Sequence, residues 1–442
     1  MIDVHGHVFN AAYVPIPGVL RTRVGMSVEL AHTAGRIFNH LVQLDPFGPS
    51  AAAADPLDFS LAERELEADM PIESDNEVAV RWIVERTPDE VLAGITRDVE
   101  LANAMLGPAP ELALMRLEML EYSGARMDLA RFLSNLIRNA RGWGRWLILL
   151  LSRESVIVGK MYKLYPDVDH FVVHMMDMDN FYEGDSKLEF VDEQIPRLAA
   201  LASASGGRLL PFVAFDPTRD RAVDIVCGAI KEHGFKGVKF YPPSGYRPLN
   251  NTAADVPPGV DPMLVEKNIR DLYDFCVDTG TPIFTHCQPK GMDARPDTGA
   301  LSHPRGWQDV LEKYGRLRLC IGHAGGEPAW FQEDLTNDEA EWRLKTIELC
   351  CRYENVYCEV GHLDDLLDTT VRKRFRDRLG EAVQAPGEFR FAAKLMYGSD
   401  YHLLVRTKNF QRIPGFLREV VDSAGIDPDS FFKANARRYL DL

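Results

Sequence analysis

Cysteine is missing from the first half of this 442-residue chain: none of the seven precedes Cys227, and no two form a CxxC pair. The odd number and the spacing read as reduced thiols of an intracellular protein rather than a disulfide framework. Adjacent Cys350 and Cys351 read as two small buried side chains at a helix end. Positive charge is also short. Fifty Lys and Arg stand against 66 Asp and Glu, a net charge of −16. Both nucleic acid and anionic membrane select basic surface, so neither is an expected partner. Long apolar runs are lacking too. Trp146 to Leu151, the most apolar stretch, is far too short to span a bilayer and has Arg145 and Arg153 beside it. The N-terminus has no positively charged region followed by an apolar run, so a cytoplasmic location is expected. No repeat is visible beyond a strand–helix unit.

What is present is ordinary globular material, 46% hydrophobic and 26% charged, with ample core. From about residue 169 onward, apolar strands alternate with helices at a spacing of roughly 30 to 45 residues, the pattern of a parallel sheet. Strands are expected over 171–176, 209–215, 237–241, 282–286, 317–323, 356–359 and 393–400. Between them, helices are expected over 194–204, 219–233 and 264–279, around 307–314, and through Ile347. Adding an N-terminal strand gives eight, the count of a (β/α)8 TIM barrel. The first connection is the exception. It runs from about residue 10 to 168, well beyond an ordinary link. Its 43–60 segment reads as irregular loop, and 88–164 as helical from the spacing of Leu, Met and Ala. The expected division is therefore a catalytic barrel of residues 1–9 and 169–442, with a mainly helical cap, 10–168, inserted between strands 1 and 2. That insertion leaves the C-terminal end of strand 1, the end at which barrel active sites lie.

Candidate ligands fall at those strand ends. His5 and His7 stand two apart in the first strand, and alternation turns both the same way. Two imidazoles side by side suit a divalent metal. Later strands end in Thr285-His286-Cys287, in Gly322-His323-Ala324-Gly325-Gly326 and in Gly398-Ser399-Asp400. Glycines beside His323 and Asp400 allow sharp turns there. Lys239 ends the fourth strand, where it reads as a binder of a substrate carboxylate or as an ion-pair partner inside the barrel. Arg247, in the following loop, is a candidate anion binder. Glu327 reads as a helix N-terminal acid. His402 lies two residues past Asp400, within reach of the site, while His174 and His362 show no ligand pattern.

Ile2-Asp3-Val4-His5-Gly6-His7, Thr285-His286, Gly322 to Gly326, Gly398-Ser399-Asp400 and the C-terminal Asn435 to Tyr439 together resemble the amidohydrolase superfamily. Within it they resemble the branch of the aminocarboxymuconate-semialdehyde decarboxylase-like proteins. The resemblance implies one divalent metal, with Zn²⁺ the first expectation, held by His5, His7, His286 and Asp400. It also implies that His323 and Asp400 are catalytic, with Asp400 taking a proton from a metal-activated water. For Lys239 it adds a further reading, a ligand bridging two metals. The activity implied is hydrolysis of a C–N or C–O bond in a small, acidic molecule. Non-oxidative decarboxylation at the same site is the alternative, and a non-catalytic metal-binding barrel a third reading. Barrels of this family associate, so a homodimer is a further expectation.

Overall fold

The computed structural model describes residues 1–44, 76–107, 122–137 and 143–442. The loop expected over 43–60 therefore lies outside the described residues from 45 on, as do 108–121 and 138–142 of the stretch expected to be helical. Eight parallel strands form one sheet in sequence order: β1 (Ile2–Gly6), β2 (His170–His174), β3 (Leu209–Phe215), β4 (Gly237–Phe240), β5 (Ile283–Thr285), β6 (Leu319–Ile321), β7 (Val356–Val360) and β8 (Leu395–Tyr397). The last strand returns to the first: Gly6 bridges Tyr401 in parallel, and Asp400 N–H donates to His5 O at 2.7 Å. The chain is a (β/α)8 TIM barrel.

Strand alternation sorts the apolar residues into two sets. Val4, Val172, Phe212, Phe284, Cys320, Tyr357 and Met396 meet in the barrel interior. Their neighbours Val173, Val213, Ile283, Ile321 and Cys358 face the surrounding helices. Those helices are short and amphipathic, and each connection places one outside the sheet. The helix Pro262–Thr279 after β4 starts on an Asp261 cap with Pro262 in its first turn, and ends on left-handed Gly280. The helix Asn337–Arg352 after β6 starts on a Thr336–Glu339 capping box. The terminal helix Asn435–Leu440 inserts Ala436 and Tyr439 into the interior cluster beside Ile2, which closes that end of the barrel.

Between β1 and β2 lie α1 (Val28–Leu41), α2 (Asn76–Arg86), α3 (Asp89–Leu106), α4 (Gly124–Ile137), α5 (Trp143–Leu151) and α6 (Glu154–Leu164). They build a second core around Ile37, Phe38, Val80, Ile95, Phe132 and Leu133, and Met178, Tyr182 and Leu188 from the loop after β2 join it. Polar groups hold the insertion together and to the barrel as well. Asn10, at its start, donates to Gln43 O and Ser152 O within it. Buried Glu154 accepts from Tyr13 and pairs with Arg197 at 2.7 Å. All seven cysteines are free thiols, and six are buried. Among the described residues no helix is long and apolar enough to cross a membrane.

Candidate metal centre

β1 delivers His5 and His7 to the C-terminal mouth of the barrel, and both are held by their outer ring nitrogens. His5 Nδ1 lies 2.7 Å from Glu359 Oε1. His7 Nδ1 lies 3.0 Å from the carbonyl of His174. A carbonyl only accepts, so His7 carries a proton on Nδ1 and turns Nε2 to the site. Burial holds the His5 imidazole well below its usual pKa. The two Nε2 atoms stand 3.5 and 3.4 Å from one oxygen, Asp400 Oδ1. Tetrahedral ligand legs of about 2.1 Å place neighbouring ligand atoms about 3.4 Å apart, so the three atoms fit a divalent metal.

Asp400 comes from the turn after β8. Burial opposes its charge, but the surrounding imidazoles of His5, His362 and His7 hold the carboxyl well below the usual range. Its second oxygen, Oδ2, lies 3.3 Å from His362 Nδ1. Glu359, fully buried on β7, accepts from His5 and also from the backbone N–H of His323 at 2.9 Å. Burial pushes its pKa up to about 7. One layer lower, Asp3 Oδ1 accepts the backbone N–H groups of His5 and Ser399, joining β1 to β8. The chain turns sharply where β6, β7 and β8 meet the site. His323, His362 and Asp400 have φ of 54°, 56° and 54°, a left-handed conformation costing a non-glycine residue about 1–2 kcal/mol. Three such residues around one site mark strain concentrated at a functional site.

The family model described as "Amidohydrolase" matches residues 160–442, more than half of the chain. The chain belongs to the amidohydrolase family. Its membership makes it an enzyme of a metal-dependent superfamily. A search of curated proteins finds no match. Among solved structures it is similar to an amidohydrolase from Burkholderia multivorans, in a form with bound HEPES, at 13% identity and a TM-score of 0.43 over 64% of this chain and 88% of that one. A zinc-bound form of the same protein gives the same identity and TM-score over 64% and 87%. A TIM-barrel protein from Bordetella bronchiseptica is similar at 17% identity and a TM-score of 0.42 over 65% and 83%.

In this amidohydrolase, the other residues singled out from the sequence fare unequally. His286, past β5, packs its ring 4.8 Å from that of His323. Its Nε2 and His323 Nδ1 are buried without a hydrogen-bond partner, two donor atoms open to a ligand. His286 Nε2 does not share the tight cluster of His5, His7 and Asp400. Backbone of the loop after β5 covers it: a Cβ on Gly291 would stand 2.8 Å from that nitrogen and 2.7 Å from Tyr241 Oη. Lys239 is buried in the interior layer with its ammonium 4.3 Å over the Phe284 ring, and burial lowers its pKa to about 8. No carboxylate among the described residues lies within 4.0 Å of it. The Arg247 guanidinium pairs with Asp255 at 2.7 Å, and its side chain is 48% exposed. His402 is buried, but its ring is taken up by Trp146 Nε1–H at 2.9 Å and Phe9 O at 3.1 Å. Glu327 precedes only a short helix, Pro328–Phe331, without a capping hydrogen bond from its side chain, and its carboxylate gathers with His362 and Asp364.

The sequence reading passed over Glu359, His362, His174 and Asp3. Glu359 had a signal: it shares the inward parity of Tyr357, and an acid inside an otherwise apolar five-residue strand demands a partner. His362 had none, because it reaches the site only through the turn that Gly361 and its own left-handed backbone create.

Proposed function

We propose that this amidohydrolase binds one divalent metal, zinc first, between His5, His7 and Asp400, with His286 and His323 beside them, and hydrolyses a C–N or C–O bond of a small molecule. The observation that carries the reading is the pair of imidazole Nε2 atoms 3.4–3.5 Å from one carboxylate oxygen. Bound there, the ion supplies Lewis acidity to the attacking water and to the substrate oxygen. Asp400, kept ionised, takes the proton from the nucleophile and returns it to the leaving group. His323, with Nδ1 free of any protein partner, orients the nucleophile or polarises the substrate oxygen. Glu359 and the His174 carbonyl hold the two ligand rings in the tautomer that leaves Nε2 available.

The buried, unpaired ammonium of Lys239 favours a second reading, in which the substrate brings a carboxylate and the same residues direct its loss as CO₂. That reading carries the likeness to the aminocarboxymuconate-semialdehyde decarboxylase-like branch.

Elemental analysis of the purified protein and of a His5→Ala/His7→Ala variant is the test. About one ion per chain, lost in the variant, supports the reading; no uptake under any loading condition overturns it. Assays on lactones, amides and aromatic carboxylic acids, followed for acid release and for CO₂, then separate the two reactions.

A further inference from the structure

Resting on the metal reading above, we propose that His362 is a positioning residue that makes Asp400 a one-oxygen ligand by tying down its other oxygen. The Asp400 carboxylate is held from two sides. Oδ1 faces the Nε2 atoms of His5 and His7, and Oδ2 faces His362 Nδ1 at 3.3 Å. The terminal torsion of an Asp side chain is broad and roughly two-fold, so a carboxylate without a second contact turns freely between presenting one oxygen and presenting both. A donor on Oδ2 removes that freedom and directs Oδ1 to the two histidines.

His362 is itself held. Its Nε2 lies 4.0 Å from Asp364 Oδ1, and Glu327 completes a group whose ligand atoms lie within 4.8 Å of one another. Its backbone is left-handed, as is that of Asp400, so both partners are locked in orientation by the turns that carry them. The space for the contact is made next door. A Cβ on Gly361 would stand 2.9 Å from Glu359 Oε2 and 3.0 Å from His5 Nδ1. β7 therefore passes close enough to the ligand ring to hold His5 with one side chain and Asp400 with another, three residues on.

The experiment measures zinc affinity by competition with a chromophoric chelator, on the full-length protein stripped of metal, for wild type, His362→Ala, His362→Asn and His362→Asp. An Asn amide N–H replaces the Nδ1–H donor, whereas Asp, of the same size, sets a carboxylate against Oδ2. Loss of a group that orients a ligand weakens metal binding about 10–100-fold. The expected result is that loss in His362→Ala and at least as large a loss in His362→Asp, with His362→Asn within about threefold of wild type. Thermal unfolding of the metal-free forms is expected to be alike, separating positioning from folding. If His362→Ala does not fold, the Asn and Asp variants carry the comparison alone. Wild-type affinity in His362→Ala, or His362→Asn as weak as His362→Asp, overturns the inference and leaves the metal reading standing. So does loss of a second ion with the first unaffected, since His362 would then be a ligand of its own with Glu327 and Asp364. A wild type that takes up no zinc overturns the metal reading and this inference with it.

Discussion

β1 and the residue just past it supply two histidines two residues apart. β7 and the turn after it supply Glu359 and His362 three residues apart, across a glycine and a left-handed residue. Both segments end at the same carboxylate, yet the first presents ring nitrogens to it and the second presents groups that hold the presenters. Side chains that would hold an ion can be placed by strand alternation alone, because each strand needs only to point them inward. Side chains that hold those ligands must meet a particular atom of a particular neighbour. The backbone is bent to achieve it, and the bend is visible as positive φ at His362 and Asp400.

If the two strands divide the labour in this way, His7→Ala has the largest effect. Removing a ligand should lower zinc affinity by more than the roughly 100-fold upper limit for a group that only orients one, measured by chelator competition. Glu359→Ala comes next. It leaves two buried N–H groups, on His5 and His323, without an acceptor, and each costs about 1–3 kcal/mol. A loss of roughly 2–4 kcal/mol in denaturant unfolding is expected, together with a 10–100-fold fall in zinc affinity. Equal affinity in Glu359→Ala and wild type would dissolve the contrast between the strands. Gly291→Val then asks whether β5 belongs with the presenters. A branched side chain pressed on His286 Nε2 should weaken zinc binding about tenfold if that nitrogen takes part, on the scale of other ligand-orienting changes; unchanged affinity would remove His286 from the ligand set.

A smaller effect is expected at Glu327, whose pKa burial pushes up to about 8. The unfolded value is lower, so the stability linked to its protonated form is complete below the unfolded pKa and is lost as pH rises through about 8. Glu327→Gln does not titrate. Its unfolding free energy, measured by denaturant titration and compared with that of metal-free wild type, should therefore gain between pH 5 and pH 9, by on the order of 1 kcal/mol after screening by nearby solvent. Arg247→Ala should do least: its half-exposed pair with Asp255 is worth about 0–1 kcal/mol, and zinc affinity should not change.

The same contrast governs what could be read from residues alone. The eight strands were legible because each is a short apolar run buried on both faces, and the histidines and Asp400 because they end such runs. Strand ends were placed too late in β6 and β8: ladder pairing stops at Ile321 and Tyr397, before the turns that deliver His323 and Asp400. That Arg247 pairs with Asp255, eight residues on, is something only the folded loop reveals. His402 does lie near the site in sequence, but an indole from the insertion claims it. Helices in the insertion follow from periodicity; that their core would recruit Met178 and Tyr182 from the loop after β2 does not, since no local pattern links segments so far apart.

That indole has a consequence for anyone hoping to exchange the insertion as a cassette. α5 donates Trp146 Nε1–H to His402, two residues past Asp400, and Arg145 reaches the carbonyl of Arg406 on the same stretch. Tyr401, between His402 and Asp400, gives its hydroxyl to the Ile157 carbonyl of α6. The inserted helices thus act as the mould in which the last strand's turn is cast. A graft with a different insertion would keep all eight strands and every histidine of the site, and would still have to bring its own indole, guanidinium and carbonyl to that turn before Asp400 faced the right way.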